Sequence, residues 1–312
     1  MKKKLLITAV SLLLGGILLT VVGLAIAGFD FKKLGNPTET TTYEITDTFE
    51  NISIEVDTAD VRFVKSTDGT CKIVCQEKRK AKHVVSVNNG RLTIENSPNL
   101  KWYDHINIGP NNECVILYLT ERAYNSLSII TDTGDVDMPT SFLYQNAVIE
   151  TETGDIAWKA TVVETLSLSV DTGDVEVKGA GATSLKVESD TGDVELSSLL
   201  CQNIFVETET GDVDISGVQC ANISLKADTG DVDCQGLIAL AKITVETDTG
   251  DVELDGCDAA SLWIKTDTGD VSGRLLTDKH YIYNTSTGDV RVPDTEGGRC
   301  EIITDTGDIY FR

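Results

Sequence analysis

The sequence predicts an all-β protein, a β-solenoid (single-strand β-helix) of 19–20-residue coils, and three observations lead to this prediction. The tripeptide Thr-Gly-Asp occurs ten times at nearly constant spacing. Apolar and polar residues alternate on both sides of each copy, as in strands with one buried face. No amphipathic helix pattern lies between the copies. A period this regular is typical of one supersecondary unit stacked on itself.

The repeat begins near residue 127 and continues to residue 312, with seven steps of 19 residues and two of 20. Its ten glycines are Gly134, Gly154, Gly173, Gly192, Gly211, Gly230, Gly250, Gly269, Gly288 and Gly307.

Each unit consists of two predicted strands joined by a corner. Before Gly192, the apolar Leu185 and Val187 alternate with Lys186 and Glu188. The second residue after each of the ten repeat glycines is Val or Ile. Glycine supplies a positive φ, and the flanking Asp and Thr can hydrogen-bond the backbone amides of their own turn.

Two architectures fit this pattern. In a solenoid, each unit is one coil, and parallel strands stack about 4.8 Å apart. In an antiparallel meander, Thr-Gly is the centre of a two-residue hairpin. A meander with one apolar face needs a second layer or a closed barrel, so the solenoid is favoured.

Residues 43–126 are predicted to form irregular N-terminal β coils that cap the array. Within them, Val56–Phe63 is a degenerate copy of the corner, and Ser86–Ile94 is a hairpin or an irregular coil of the array. Asn96–Asn112 is predicted to be an excursion loop. At the other end, the chain stops at Arg312 directly after a corner and a strand, which predicts an open edge and end-to-end self-association there.

The N-terminus predicts a membrane protein. Residues 1–4 contain three lysines and are predicted to be a cytoplasmic tail, residues 5–28 are uncharged and long enough to span a bilayer, and residues 29–42 follow as a stalk. A cleaved signal peptide is the alternative, because Ala25-Ile26-Ala27 has the spacing of a cleavage site. The length of the apolar stretch favours an uncleaved single-pass anchor with an extracytoplasmic C-terminal domain.

The charge is strongly negative. The chain has 50 acidic and 26 basic residues, a net charge of −24, and every acid follows Phe29. This balance argues against binding to nucleic acid or to anionic lipid through a basic face. It favours cations or a basic partner, although a charged surface also keeps a long solenoid soluble.

Stacked coils would bring the aspartates of the corner into two rows, where neighbouring charges repel by about 1 kcal/mol. Calcium between coils is one hypothesis, because it binds several carboxylate oxygens. The other is that each carboxylate accepts amide hydrogen bonds within its own turn. The predicted calcium ligands are Asp171, Asp174, Asp190, Asp193, Asp228, Asp231, Asp248, Asp251, Asp267 and Asp270.

No catalytic constellation is predicted. The three histidines, His83, His105 and His280, are scattered, and the eight cysteines are interpreted as reduced structural thiols. We therefore expect no enzymatic activity and no cofactor. A polysaccharide-acting solenoid enzyme remains an alternative, with Asn96–Asn112 as the one interruption that could hold its site.

The order of motifs resembles a bacterial putative-adhesin domain of unknown function and the LiaG-like envelope proteins. The motifs are Tyr43-x-Ile45-x-x-x-Phe49, the segment Asn89–Ile94, the strand Val115–Leu119, and the Thr-x-x-Gly-Asp-Val repeats. This resemblance covers residues 43–312. It implies a membrane-tethered surface solenoid linked to envelope stress, and no catalytic residues.

We therefore expect an adhesion or protein-interaction scaffold that binds an envelope protein or surface ligand. The expected binding surface is the outward face of the strands, and its acids include Glu176, Glu195, Glu207, Glu246 and Glu253. A self-assembling structural surface protein is the second hypothesis.

Overall fold

The computed structural model describes residues 38–79, 81–97 and 113–312. The predicted tail, anchor and first part of the stalk lie outside these ranges, as does most of the excursion loop. The described residues include no helix of the length and apolarity that a membrane span requires.

The fold is a stack of coils in which every repeat adds one strand to each of two sheets. We call these the long-strand sheet and the short-strand sheet. In the repeats, the long-strand sheet comprises β8 (Ala123–Thr133), β10 (Leu143–Thr153), β12 (Thr161–Thr172), β14 (Gly181–Thr191), β16 (Leu200–Thr210), β18 (Gln219–Thr229), β20 (Ile238–Thr249), β23 (Lys279–Thr287) and β25 (Gly298–Thr306). The short-strand sheet comprises β9 (Val136–Met138), β11 (Ile156–Trp158), β13 (Val175–Lys178), β15 (Val194–Ser197), β17 (Val213–Ser216), β19 (Val232–Gln235), β22 (Val271–Leu275), β24 (Val290–Arg291) and β26 (Ile309–Phe311). Strand β21 (Val252–Thr268) contributes to both sheets.

Successive coils pair in parallel and in register, which confirms the solenoid and excludes the meander. Leu166 lies opposite Leu185 in the long-strand sheet, and Val175 lies opposite Val194 in the short-strand sheet. All four side chains are buried. Each apolar row therefore continues from coil to coil and forms one core between the two sheets.

The corner requires glycine for two reasons. Gly192 has φ of 142°, and a Cβ atom there would lie 2.0 Å from the carbonyl oxygen of Gly173 in the preceding coil. Both a conformation that favours glycine and close backbone stacking thus explain the glycine of the repeat. The backbone also pairs across coils here, because the N–H of Gly192 donates to Thr210 O at 2.9 Å.

The N-terminal cap is built from β1 (Thr38–Ile45), β2 (Asn51–Val56), β3 (Asp60–Lys65), β4 (Cys71–Lys78), β5 (His83–Asn88), β6 (Arg91–Asn96) and β7 (Cys114–Leu119). The predicted corner between β2 and β3 is confirmed, since these strands stack directly on β8 and β9. The hairpin is confirmed as well: β5 and β6 are antiparallel around Asn89 and Gly90, whose φ angles are 51° and 74°.

The boundary of the predicted stalk needs a correction. Residues 38–42, assigned to the stalk, are the first part of β1, which pairs antiparallel with β4 from Thr38 opposite Lys78 to Ile45 opposite Cys71. The threonine-rich sequence alternates between exposed and half-buried positions. It therefore suits the edge of the short-strand sheet.

The open edge at the C-terminal end also needs a correction. The last coil of the chain, β25 and β26, is inserted between β21/β22 and the earlier coil β23/β24. Both faces of the last coil are therefore paired. The outermost coil is β23/β24, where Tyr283 is 51% exposed, and the free edge lies there instead of at Arg312.

Candidate interaction surface

The outward face of the short-strand sheet carries an unbroken row of acids. Glu176, Glu195, Asp214, Asp233 and Glu253 occupy one position in five consecutive coils and are Cα partners of one another. Glu176 is half-buried and the other four are exposed. We call these five residues the short-face acids. Their even spacing follows directly from the in-register stacking of apolar residues on the opposite face of the same strands.

Electrostatics in this row disfavour full ionisation. Partial burial raises the pKa of Asp214, and the neighbouring Asp212 and Asp193 raise it further. Partial burial also raises the pKa of Asp233, with Asp214 and Glu253 adding to the effect. The folded chain thus keeps like charges together at some cost, which a bound cationic group would relieve.

A groove of about 580 Å³ runs along this face at its C-terminal end. Asp233 and Glu253 line it, together with Asp270, Arg291 and Tyr310. The acidic row therefore ends at a place where an aromatic ring and a guanidinium group are available for contact. Such a mixed rim suits a peptide or polymer better than a small apolar ligand.

A second row of aspartates, the residue after each repeat glycine, forms a hydrogen-bonded ladder. The backbone N–H of Asp193 donates to Asp174 Oδ1 at 2.9 Å, and that of Asp212 donates to Asp193 Oδ1 at 2.9 Å. The pattern continues through Asp308 to Asp289. These carboxylates accept amides as the second hypothesis predicts, but the amides belong to the next coil and not to the same turn. The ladder satisfies an N–H that the backbone pairing leaves out.

The aspartates before each Thr lie on the other face. Asp171, Asp190 and Asp248 are exposed at the ends of long strands, on the outward side of the long-strand sheet. Asp228 and Asp267 lie there too and pair with lysines, Lys226 at 3.1 Å and Lys265 at 3.2 Å. The ten predicted calcium ligands therefore form two rows that flank the corner.

Hydrogen bonds already occupy part of the ladder row. In the ladder row, one carboxylate oxygen of Asp174, Asp193, Asp231, Asp251 and Asp270 already accepts an amide. Within the described ranges, three metal-type donors come within 4.8 Å of one another at Cys75, Glu77 and His83, and not in the aspartate rows. Calcium binding by the aspartates stays a prediction.

The predicted acidic surface divides into two. Glu176, Glu195 and Glu253 belong to the short-face acids, whereas Glu207 and Glu246 lie on the long-strand sheet. There Glu207 pairs with Lys226 at 2.9 Å and Glu246 pairs with Lys265 at 3.3 Å. Partial neutralisation by lysine makes the long face a weaker candidate for binding cations than the short face.

The thiols are free, and one histidine has a buried acidic neighbour. All eight cysteines are free thiols, and six of them are buried. His83 is not isolated, as its place in the sequence suggests, but lies against Glu77, with Nδ1 3.0 Å from Oε2. One feature of the sequence could have indicated this contact. Cys75 and Glu77 are two residues apart and so share one face of a strand, and His83 begins the next strand.

A row of buried threonines was also missed. Thr266 and Thr304 are fully buried three residues before their glycines, and each hydroxyl donates to the carbonyl oxygen of a glycine in the preceding coil of the stack, Gly250 or Gly269. The recurrence of Thr or Ser three residues before the repeat glycine, at a position predicted to face inward, could have indicated this row. The hydroxyls of Thr266 and Thr304 thus support the corner from inside, whereas those of Thr131, Thr151 and Thr208 have no hydrogen-bond partner among the described residues.

Comparisons with known proteins agree with this architecture. The family model described as Toastrack DUF4097 matches residues 49–236 and 201–312. No curated protein matches the sequence.

Several solved structures are similar to the chain, among them two from one bacterial strain. A putative adhesin from Parabacteroides distasonis ATCC 8503 is 14% identical, with a TM-score of 0.49, over 86% of this chain and 98% of that one. A putative lipid binding protein from the same strain is 15% identical, with a TM-score of 0.45, over 89% of this chain and 98% of that one. Because the family model covers most of the sequence from residue 49 onward, this chain belongs to the Toastrack DUF4097 family, as its resemblance to a putative-adhesin repeat domain had predicted.

Proposed function

We propose that this protein is a non-enzymatic interaction scaffold of the bacterial cell envelope. Residues 5–28 anchor it in the membrane, and the solenoid extends outside the cytoplasm. It binds an envelope protein or surface ligand, and the resemblance to LiaG-like proteins favours a role connected with envelope stress. The observation that carries this proposal is the row of short-face acids, which is regular, exposed and unneutralised over most of its length.

A partner with basic groups would stabilise the short-face acids. Five acids lie side by side in consecutive coils. Partial burial raises the pKa values of Asp214 and Asp233, and repulsion from Asp214 and Glu253 in the same row raises that of Asp233 further. Among the described residues, the one ion pair formed by this row joins Glu176 to Lys159 at 3.7 Å. A partner with basic groups at a similar spacing would relieve the repulsion and gain specificity from the fixed register.

A photocrosslinking amino acid placed in the full chain tests this assignment in the producing bacterium. Substitution at Asp214 puts the probe in the centre of the short-face acids. Substitution at Glu150, which is exposed on the long-strand sheet, is the matched control. We expect a discrete adduct from position 214 and not from position 150. Equal adducts from both positions, or adducts from position 150 alone, would contradict the assignment.

A structural function is the second candidate, and the outermost coil favours it. Among the described strands, β23 and β24 each pair with only one neighbouring coil, and Tyr283 is 51% exposed there. A second copy could add its own terminal coil to this edge. The protein would then assemble end to end.

Light scattering of the full chain in mild detergent, over a range of concentrations, distinguishes this second function. Assembly predicts particles that grow in length with concentration and that Tyr283→Lys prevents. Tyr310→Lys is the control, because Tyr310 is 46% exposed on the side of the solenoid and not at its end. A monomer at every concentration would remove the structural hypothesis and leave the binding scaffold.

A further inference from the structure

Three ligand-type side chains meet inside the N-terminal cap. Cys75 and Glu77 point inward from β4 in the short-strand sheet, and His83 begins β5 in the long-strand sheet. Their donor atoms all lie within 4.8 Å of one another. The exposed fractions of the residues are 0% for Cys75, 0% for Glu77 and 3% for His83. The cluster therefore bridges the two sheets where the core ends.

The chemistry of this set fits zinc. A thiolate, a carboxylate and an imidazole are all zinc ligands, with bonds of about 2.0–2.3 Å that place tetrahedral ligands about 3.2–3.8 Å apart. Glu77 Oε2 and His83 Nδ1 are already 3.0 Å apart. Small rotations of the side chains would complete the geometry, and water could take the fourth position.

The charge of the surroundings also favours a cation. Glu77 is fully buried, and in the described part of the chain its carboxylate lies against the imidazole of His83 and forms no ion pair with a lysine or an arginine. The nearby cations serve other acids: Lys78 pairs with Glu113, while Arg79 and Lys82 pair with Glu39. A zinc ion with one thiolate and one carboxylate would be neutral overall, which lowers the cost of burial.

Neighbouring groups hold these ligands in place. The Thr41 hydroxyl donates to Glu77 Oε1 at 2.5 Å, and the Tyr43 hydroxyl donates to the His83 carbonyl oxygen at 3.0 Å. The His83 N–H donates to Glu77 Oε2 at 2.7 Å. Such outer contacts orient ligands in many metal sites, and both donor side chains come from β1.

We propose that Cys75, Glu77 and His83 bind one zinc(II) ion that ties β4 to β5 and closes the N-terminal end of the core. On binding, the Cys75 thiol releases its proton to solvent and the imidazole binds in its neutral form. The site is independent of the acidic surface described above.

The test uses the full chain in mild detergent, first treated with a chelator and then titrated with zinc(II) alone. We expect the melting temperature to rise with zinc concentration and to level off at one ion per chain. Cys75→Ser should abolish the rise. Cys300→Ser, the same exchange at a fully buried thiol near the other end, should retain it.

Cobalt(II) gives a second readout that does not depend on the stability of one variant. The unsubstituted chain should show a thiolate-to-cobalt charge-transfer band at one equivalent. Glu77→Gln, which keeps the hydrogen bond from Thr41, should weaken cobalt binding at least tenfold. The absence of that band, or an equal zinc response in Cys75→Ser, would overturn the proposal and leave a hydrogen-bonded cluster.

Discussion

Asp212 accepts the backbone N–H of Asp231 in the next coil, with 2.8 Å between Oδ1 and the nitrogen. This relationship explains why the repeat keeps a side-chain acceptor after each repeat glycine despite the repulsion along the row. The backbone ladder pairs the glycine N–H before this position and the valine N–H after it, but not the aspartate N–H. The side chain of the preceding coil supplies the missing acceptor.

The first prediction follows from that role. Asp212→Ala should lower the free energy of unfolding by about 1 kcal/mol, because the Asp231 N–H loses its acceptor. Asp212→Asn keeps a carbonyl acceptor and removes one repelling charge, so it should equal or exceed the stability of the unsubstituted chain. Urea unfolding followed by circular dichroism checks both variants. Equal losses in the two would mean that the charge, and not the hydrogen bond, matters.

The second prediction concerns the glycine of the corner. Gly192→Ala should destabilise the chain by more than about 2 kcal/mol, because strain at this φ adds to the overlap with the Gly173 carbonyl oxygen. At Gly217, φ is 61°, and among the described residues no atom beyond the two chain neighbours lies within 4 Å of the place that a methyl group would occupy. Ser198 holds the equivalent place one coil earlier with φ of 56°.

Gly217→Ala is therefore the matched control, with an expected cost of about 1 kcal/mol. Thermal melts of the two variants provide the comparison. A loss at position 192 no greater than that at position 217 would contradict the close stacking of the corners.

The third prediction is a pH dependence of the short-face acids. The pKa values of Asp214 and Asp233 lie above the ordinary 3.8, so ionisation costs the folded chain more than the unfolded chain. The protonated carboxyl groups therefore favour the folded chain at low pH. This stabilisation is lost as the pH rises through the raised pKa values, and at neutral pH the loss is complete.

The double variant Asp214→Asn/Asp233→Asn should consequently melt at a higher temperature than the unsubstituted chain at pH 7. This gap should close as the pH falls towards 3.8. The double variant Glu150→Gln/Asp171→Asn on the long-strand sheet is the control for charge removal alone. A gap that stays constant with pH would show that the raised pKa values are not its cause.

The fourth prediction tests calcium at the two aspartate rows. If calcium joins neighbouring coils through residues such as Asp190 and Asp193, the melting temperature should rise with calcium and return with a chelator. The variant Asp190→Asn/Asp193→Asn removes one carboxylate from each row and should reduce the rise. Identical melts with and without calcium would leave the ladder as a hydrogen-bonding element.

The sequence was informative where one physical constraint acts on every coil. The alternation around Leu185 and Val187 predicted the strands, and the glycine spacing predicted the corners, because stacking forces each coil to satisfy the same packing rule. The order of the coils at the ends was not predictable in this way. Insertion of β25 and β26 inside β23 and β24 depends on a long-range pairing for which a local pattern contains no signal.

The candidate site was predicted only in part, because its arrangement also depends on long-range contacts. An acidic surface followed from composition, but Glu207 and Glu195 were assigned to one face when they lie on different sheets. Their separation depends on which side of the corner each residue occupies. The meeting of Glu77 with His83 depends on the two sheets converging in the cap, which periodicity cannot show.

Binding of a basic envelope partner by the short-face acids is tested most directly by co-sedimentation of the full chain, in mild detergent, with envelope material of the producing bacterium. The variant Glu195→Gln/Asp214→Asn/Asp233→Asn/Glu253→Gln should lose most of its binding. The variant Glu150→Gln/Asp171→Asn/Asp190→Asn/Glu209→Gln, with the same change of charge on the long-strand sheet, should retain it. Unchanged binding by the first variant, or equal loss by both, would contradict a binding role for the short-face acids.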